Sequence, residues 1–274
     1  MPRLGVAWLV LPLVVAAAPA LARAPVDRPD NLLDDRFALT LDMINSSNTT
    51  QARIDASTGA QGTVVSGEGD LGLKSRKVLG LGEVMMRMRE RWRMRVDYYF
   101  VPLDRSGSTV LKRQINFKDA QFQPGDQINS QFGVHLFGLN WAYSFLKGER
   151  YELAASLGFD VVELSAVGTD SARVSTQRQE RSEPAPLVGL DGTVQLAQHW
   201  YFDARLQYLR AHISHITGRV TSWEASVLYR VTPNITLGLG MRSFVLSISS
   251  TSVGNSGMLD LQSRGPQLSL RVGL

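Results

Sequence analysis

His212, Ser214 and Glu224 are the residues whose types and spacing could support hydrolytic chemistry. His212 and Ser214 are two positions apart, so both side chains would lie on one face of an extended strand. Ser214 would then be the nucleophile, His212 its base, and Glu224 the carboxylate that orients the imidazole. Hydroxyl and carboxylate side chains are abundant in any β-barrel, the fold predicted below. The sequence therefore favours an ordinary histidine, satisfied by a nearby acid, over a catalytic one.

A glycine-rich run at residues 67–72, GEGDLG, has the spacing of a dinucleotide-binding loop. Such a loop binds pyrophosphate only when it joins a strand to the N-terminus of a helix. No helical periodicity follows the run, so it predicts a turn, and no cofactor is expected. The chain has no cysteine, which excludes a disulfide framework and a thiolate metal site, and no metal site is predicted.

Charged side chains follow a regular alternation along the predicted strands. One cluster, Arg87, Arg89, Arg93 and Arg95, could attract phosphate or lipid head groups. The whole polar face, however, carries nine arginines and eight carboxylates, which favours a network of internal ion pairs. The arginines are Arg36, Arg87, Arg89, Arg93, Arg95, Arg205, Arg230, Arg242 and Arg271; the carboxylates are Asp42, Glu83, Asp97, Glu152, Asp160, Asp191, Asp203 and Glu224.

The first 22 residues have the organisation of a secretory signal peptide. Arg3 is followed by an apolar stretch over residues 6–18 and by Ala20-Leu21-Ala22, a small-x-small cleavage pattern. Cleavage after Ala22 would leave a domain of residues 23–274 with 28 basic and 25 acidic side chains. That near-balance does not suit a nucleic-acid-binding protein.

Ten segments alternate apolar and polar residues with the period of two that is typical of β-strands. The last segment, QLSLRVGL at residues 267–274, does so without a break. The predicted strands are centred on residues 37–43, 84–88, 92–100, 137–145, 151–161, 188–196, 200–208, 223–231, 235–241 and 267–274.

Short turns near residues 90, 147, 198 and 233 alternate with longer polar segments. We predict long outer loops at 45–78, 102–129, 165–186, around 214 and at 249–264, with a small hairpin between Thr49 and Ser66. The alternation predicts an all-β, transmembrane, antiparallel up-and-down barrel of about ten strands, with eight to twelve possible. Its apolar face would contact lipid, and its expected location is the cell outer membrane. Aromatic residues near the short turns would form a periplasmic girdle: Trp92, Phe145, Tyr151, Trp200 and Tyr229.

Four stretches resemble a group of uncharacterised outer-membrane β-barrel proteins of Gram-negative bacteria: ARIDASTGAQGTVVSGEGDLGL, RMRVDYYFVPLDRSG, SWEASVLYRVTPNITLGLGM and SRGPQLSLRVGL. The resemblance implies a small porin-like barrel of unassigned role and brings no catalytic residues with it. Barrels of this kind commonly end on an aromatic residue that the assembly machinery reads, whereas this chain ends on Leu274. Expected partners are outer-membrane lipids, lipopolysaccharide and the barrel assembly machinery, and the oligomeric state stays open.

The leading functional hypothesis is an integral barrel with a structural, surface-interaction or narrow-permeation role, and an enzyme is the less favoured alternative. The spacing of His212, Ser214 and Glu224 resembles that of outer-membrane lipid A deacylases. Omptin proteases, which are also ten-stranded, use aspartates and a histidine at the outer rim. Here the matching rim residues, without recognisable motifs, would be Asp104, Asp119, Asp126 and His212.

Overall fold

The computed structural model describes residues 31–170, 175–213, 215–252 and 256–274. The predicted signal peptide lies outside these residues. Ten long antiparallel strands form the barrel wall, and four short strands lie between them. In chain order the strands are β1 (Phe37–Ile54), β2 (Val65–Ser66), β3 (Arg76–Arg89), β4 (Trp92–Val101), β5 (Arg105–Val110), β6 (Ile115–Phe117), β7 (Ala120–Phe122), β8 (Gln127–Lys147), β9 (Tyr151–Asp170), β10 (Ser175–Ala197), β11 (Trp200–Ile213), β12 (Ile216–Arg230), β13 (Ile235–Ser250) and β14 (Gly257–Gly273).

The barrel closes where its first and last strands pair. β1 and β14 run antiparallel from Ala38 opposite Gly273 to Ile54 opposite Gly257. Leu274 completes the seam, because its carbonyl accepts hydrogen bonds from the amides of Arg36 and Phe37 at 2.8 and 3.0 Å. Closure leaves no exposed sheet edge around the wall, as a membrane-spanning sheet requires.

The outward face of the wall is an apolar belt, and the inward face near the short turns is polar. In β14 the outward residues Leu268, Leu270 and Val272 are exposed, while the inward residues Gln267 and Ser269 are buried. The other strands also expose their large apolar side chains on the outward face, so the predicted orientation of the apolar face is confirmed. A belt of exposed large apolar side chains around a closed barrel is the lipid-facing surface of an outer-membrane barrel. The chain is therefore an outer-membrane β-barrel.

The predicted periplasmic girdle is present at the short turns. All five predicted aromatic residues are exposed, and three of them form ring contacts across neighbouring strands. The ring centroids of Trp92 and Tyr143 are 4.9 Å apart, as are those of Trp200 and Tyr229. The chain terminus at Leu274 lies at this end, which we therefore take as periplasmic.

The outer loops are shorter than the sequence predicts, because strand pairing continues through much of the polar sequence. Residues 165–170 and 175–186, predicted as part of a loop, continue the β9–β10 ladder, with Ser175 opposite Asp170 and Pro186 opposite Phe159. Near residue 214 the connection is tight, since β11 ends at Ile213 and β12 begins at Ile216. Loss of apolar alternation marks where a strand leaves the lipid, whereas backbone pairing needs no apolar face. The predicted hairpin between Thr49 and Ser66 is confirmed by the pairing of Gln51 with Ser66.

Two prolines, Pro184 and Pro186, lie inside β10, in the segment that its polar composition predicted as a loop. Pro184 and Pro186 carry no backbone N–H, which normally excludes proline from central strands. The pairing of β10 with β11 begins only at Val188, so the prolines belong to a stretch of β10 that has an edge on that side. An edge position tolerates the missing donor.

The short strands belong to the outer end. β2 pairs with β1, β5 pairs with the outer part of β8, and β6 and β7 form a separate hairpin. Within the described residues, no helix has the length and apolar character needed to cross a membrane.

Candidate functional site

The periplasmic half of the barrel lumen holds a dense network of ion pairs. Seven of the nine predicted arginines point inward, whereas Arg36 and Arg89 are exposed at the periplasmic rim. Each of the seven inward arginines contacts at least one carboxylate. The predicted ion-paired interior is thus present. It surrounds a cavity of only about 70 Å³, room for a handful of waters.

Glu152 is the most enclosed acid of the network. It is fully buried, and its two carboxylate oxygens accept hydrogen bonds from the two terminal nitrogens of Arg87, both at 2.9 Å. Arg93 approaches the same carboxylate at 3.7 Å, and the Ser144 hydroxyl also contacts it. This fork-to-fork geometry ties β9 to β3 across the lumen.

Arg205 contacts three carboxylates at mid-depth in the lumen. Its guanidinium contacts Glu83 at 2.7 Å, Asp191 at 3.1 Å and Glu224 at 3.4 Å. Arg95 contacts the same Asp191 oxygen at 2.5 Å. These contacts join strands on opposite walls, so the charges fill the lumen and do not line an open passage.

A second seal lies below the network, where a short segment closes the periplasmic mouth. Residues Leu32–Asp34 form a 3₁₀ turn capped by Asn31, and Leu32 and Leu33 are buried. They pack at the base of the lumen, where the Leu32 amide donates to the Tyr201 hydroxyl at 3.4 Å. We call residues 31–35 the N-terminal plug.

Asp35 locks the plug to the wall. The carboxylate is 2% exposed and accepts hydrogen bonds from Arg230 at 3.1 Å and Arg271 at 3.2 Å. Arg87 adds a bond to the Leu33 carbonyl at 2.9 Å. The plug is therefore held by hydrogen bonds from Arg87, Arg230 and Arg271, which belong to the luminal set of inward arginines.

The outer half of the lumen is apolar, which the sequence analysis did not predict. Twelve buried side chains form a layer that extends across the barrel, and two of them, Leu73 and Leu103, come from connections that fold inward. We call this the apolar layer: Ile44, Leu73, Leu79, Leu103, Phe132, Val134, Val162, Leu187, Val220, Phe244, Leu246 and Leu261. A dry layer of this kind is a barrier to ions.

Above the apolar layer, the chain builds a small folded unit that we call the outer platform, residues 55–73 and 105–127. Its core consists of Val65, Leu111, Ile115 and Phe122, which pack with Ile128 of β8. Backbone segments approach closely, since a Cβ on Gly107 would lie 2.2 Å from the Gly72 carbonyl oxygen. The platform is a packed structure and not a set of independent loops.

Hydrogen bonds and an ion pair connect the two segments of the platform, residues 55–73 and 105–127. Arg113 bonds to Asp70 at 2.6 Å and to the Val64 carbonyl at 2.8 Å. The Arg113 guanidinium, by these hydrogen bonds, holds the pKa of the Asp70 carboxyl below its usual value. In the same way, the amide and hydroxyl of Ser57 hold the pKa of Asp119 below its usual value.

The structure does not bring His212 and Glu224 together. His212 lies on the outward face, exposed, with its Nδ1 2.8 Å from the Thr217 hydroxyl. Glu224 lies inside the lumen, where it contacts Arg205 and Arg242 at 3.4 and 3.2 Å. Glu224 pairs with Arg205, seven residues before His212, so the two side chains are separated by roughly 23 Å along the sheet and by its thickness. Ser214 lies outside the described residues.

The rim aspartates also lie apart from one another. Asp104 is 3.5 Å from Nε2 of His135 on the outward face of the barrel. Asp119 and Asp126 make local bonds, to Ser57 and to the Gln123 amide. No group of three or more potential ligand side chains in the described ranges could hold a metal ion.

The glycine-rich run and the arginine cluster have structural roles. Residues 67–72 form a turn after β2, in which the Asp70 amide donates to the Ser66 carbonyl at 2.9 Å. Arg87, Arg93 and Arg95 are occupied by luminal carboxylates, which leaves no shared phosphate site there.

Two features escaped the sequence analysis, namely Asp35 and the apolar layer. Asp35 precedes β1 and so carries no strand alternation, although Asn31 before Leu32 and Leu33 is a capping signal. The apolar layer includes Phe244 and Leu246, which occupy inward positions that the predicted strands did not reach.

Neither the protein-family models nor the curated proteins contain a match to this chain. Among solved structures it is similar to the outer membrane protease OmpT from Escherichia coli, with 13% identity, 89% of this chain and 98% of that chain covered, and a TM-score of 0.56. The transport unit of the autotransporter AIDA-I from Escherichia coli matches at 6% identity, with 96% and 97% covered and a TM-score of 0.42. Neisserial surface protein A matches at 15% identity, with 87% and 97% covered and a TM-score of 0.32. At these identities the likeness to OmpT concerns the barrel fold alone.

Proposed function

We propose that this chain is a non-conducting barrel that anchors the outer platform at the cell surface for interaction with other molecules. The observation that carries the proposal is the triple obstruction of the lumen by the N-terminal plug, the ion-pair network and the apolar layer. A permeation role would need a continuous wet path, and each obstruction removes part of one. Of the roles considered from the sequence, surface interaction fits a sealed barrel that carries an ordered outer unit.

The platform suits this role because it is a packed unit with its own apolar core. Its core and ion pairs fix its shape before any partner arrives, which lowers the entropic cost of binding. Lipids of the outer membrane and lipopolysaccharide would surround the belt, and the barrel assembly machinery would insert the chain. We further propose membership of the uncharacterised barrel group that the sequence resembles.

Surface labelling tests whether the platform is displayed. Because the chain has no cysteine, an introduced thiol gives no background. A Lys112→Cys variant, in the platform, should react with a membrane-impermeant maleimide on intact cells. A matched Glu90→Cys variant, at a periplasmic turn, should react only after the outer membrane is disrupted. Labelling of Glu90→Cys but not Lys112→Cys on intact cells would reverse the orientation and refute the proposal.

Planar-bilayer recordings test the sealed lumen. The purified wild-type protein should show no large, steady openings at symmetric salt. A mock purification serves as the control. If this protein alone gives regular single-channel steps, permeation becomes the leading role in place of surface interaction.

A further inference from the structure

Among the described residues, four exposed arginines lie on the outward face of the barrel, at or just beyond the outer edge of the apolar belt. They are Arg76 on β3, Arg210 on β11, Arg219 on β12 and Arg264 on β14. Each continues the outward-facing series of its strand, so none points into the lumen. We call these four residues the arginine ring.

The strand register groups the ring into two pairs. Arg210 lies directly opposite Arg219 on the neighbouring strand. Arg76 and Arg264 lie on either side of Ser47, since both strands pair with β1 at that residue. Directly opposite like charges destabilise a sheet unless an anion lies between them.

Within the described residues, the ring differs from the luminal arginines in having no carboxylate counter-ion. Among the described residues, no carboxylate forms an ion pair with any of the four, whereas every luminal arginine has at least one. On the opposite wall, the outward positions beyond the belt carry His135 opposite Glu163. Among the described outward positions at the outer edge of the belt, the arginines without a carboxylate partner thus lie on the side of the barrel that runs from β11 through β14 to β3.

We propose that the arginine ring binds the phosphate groups of the phosphorylated glucosamine glycolipid of the outer leaflet, the lipid A class. The ring faces sideways, at head-group depth, and so it can reach a ligand only if that ligand is held in the bilayer. Paired guanidinium groups match the several oxygens of a phosphate. His212, one pair farther out than Arg210 and on the same face, extends the polar contact surface toward the sugar. This inference goes beyond the platform role and does not depend on it.

Lipid binding by the refolded full-length mature barrel in detergent tests the proposal. Bisphosphorylated lipid A, its phosphate-free form and phosphatidylglycerol would be titrated and followed by native mass spectrometry. The variants are Arg210→Gln/Arg219→Gln and Arg76→Gln/Arg264→Gln. The matched control is Arg89→Gln/Arg91→Gln, which removes the same charge at the exposed periplasmic turn.

We expect saturable binding of bisphosphorylated lipid A that weakens about tenfold or more in each ring variant and is unchanged in the control. Phosphate-free lipid A and phosphatidylglycerol should bind the wild type at least about tenfold more weakly. Equal binding of phosphatidylglycerol would overturn the assignment to the glycolipid. Equal weakening by the control variant, or no weakening in the ring variants, would overturn the site.

The ring residues are exposed, and their side chains make no hydrogen bond or ion pair within the described part of the chain, so the variants should fold. The mobility of unheated samples on gels will show whether they do. If a glutamine variant does not fold, Arg210→Lys/Arg219→Lys keeps the charge but loses the planar fork. Weaker binding by this lysine variant would support the site, and wild-type affinity would refute bidentate recognition.

Discussion

At the scale of single residues, a few carboxylates hold the interior together. Glu152 and Asp35 are almost completely buried, and each is shared by two arginines. A buried acid that loses its charge leaves its cationic partners without compensation, which costs more than the pair itself contributes. Mutations at these positions should therefore have large effects, whereas exposed acids nearby should not.

Glu152→Gln should reduce the free energy of unfolding by about 3 kcal/mol, because Arg87 and Arg93 would remain buried without a counter-charge. Urea unfolding of the refolded barrel, followed by tryptophan fluorescence, measures the change. Glu149→Gln, at the neighbouring exposed turn, should change it by less than about 0.5 kcal/mol. Equal effects of the two substitutions would contradict the role given to Glu152.

The lowered pKa of Asp70 predicts that acid reduces the stability of the platform. Its pKa in the folded protein is lower than the ordinary value of 3.8, so the pairing with Arg113 stabilises the platform fully above that pH. The stabilisation is lost as the pH falls from 3.8 through the folded-state pKa. Hydrogen exchange in residues 63–73, corrected for intrinsic rates, should show more opening at about pH 3 than at about pH 6. Asp70→Asn should remove this difference, and an unchanged difference in that variant would assign the effect to another group.

At the scale of elements, the barrel strands and the plug differ in their local stability against opening. Strands β8, β9 and β10 share long ladders, whereas the plug is a single 3₁₀ turn that depends on a few side-chain bonds. A short element without its own backbone ladder opens more readily than the wall.

Asp35→Asn should release the plug and leave the barrel folded. The loss of its bonds to Arg230 and Arg271 should shift the local opening equilibrium by about 3 kcal/mol, more than a hundredfold. Trypsin cleavage after the exposed Arg36 reports the opening. Asp34→Asn is the matched control, because Asp34 is exposed and its carboxylate pairs, within the described residues, with the single cation Lys147 at 3.5 Å. Similar cleavage rates in the two variants would show that Asp35 does not hold the plug.

At the scale of the whole molecule, the lumen has seals of different chemistry in series. The plug and the ion-pair network are electrostatic, and the apolar layer excludes water. Removal of one seal should leave the others in place.

Conductance should therefore appear only when both kinds of seal are weakened. Asp35→Asn/Arg205→Ala alone and Phe132→Ala/Phe244→Ala alone should stay closed in planar bilayers, and the quadruple variant, in which all three obstructions are weakened, should leak. Truncation of the two phenylalanines removes the two aromatic side chains of the layer, and the barrel wall can tolerate the cost because its backbone ladders persist. Wild-type-like silence in a folded quadruple variant would contradict the assignment of the seal to these three obstructions.

The sequence alone determined the barrel, its strand order and the face of each strand that contacts lipid. These properties follow from a period-two pattern that residues 267–274 and the other nine segments carry locally. The tertiary structure decided where strands end, because backbone pairing in residues 165–170 and 175–186 continues without an apolar pattern. It also decided which charges meet: His212 and Glu224 are close in sequence but on opposite faces, whereas Asp35 and Arg271 are 236 residues apart and bonded. Contacts across a closed barrel depend on the register of every strand between them, and no local pattern encodes that register.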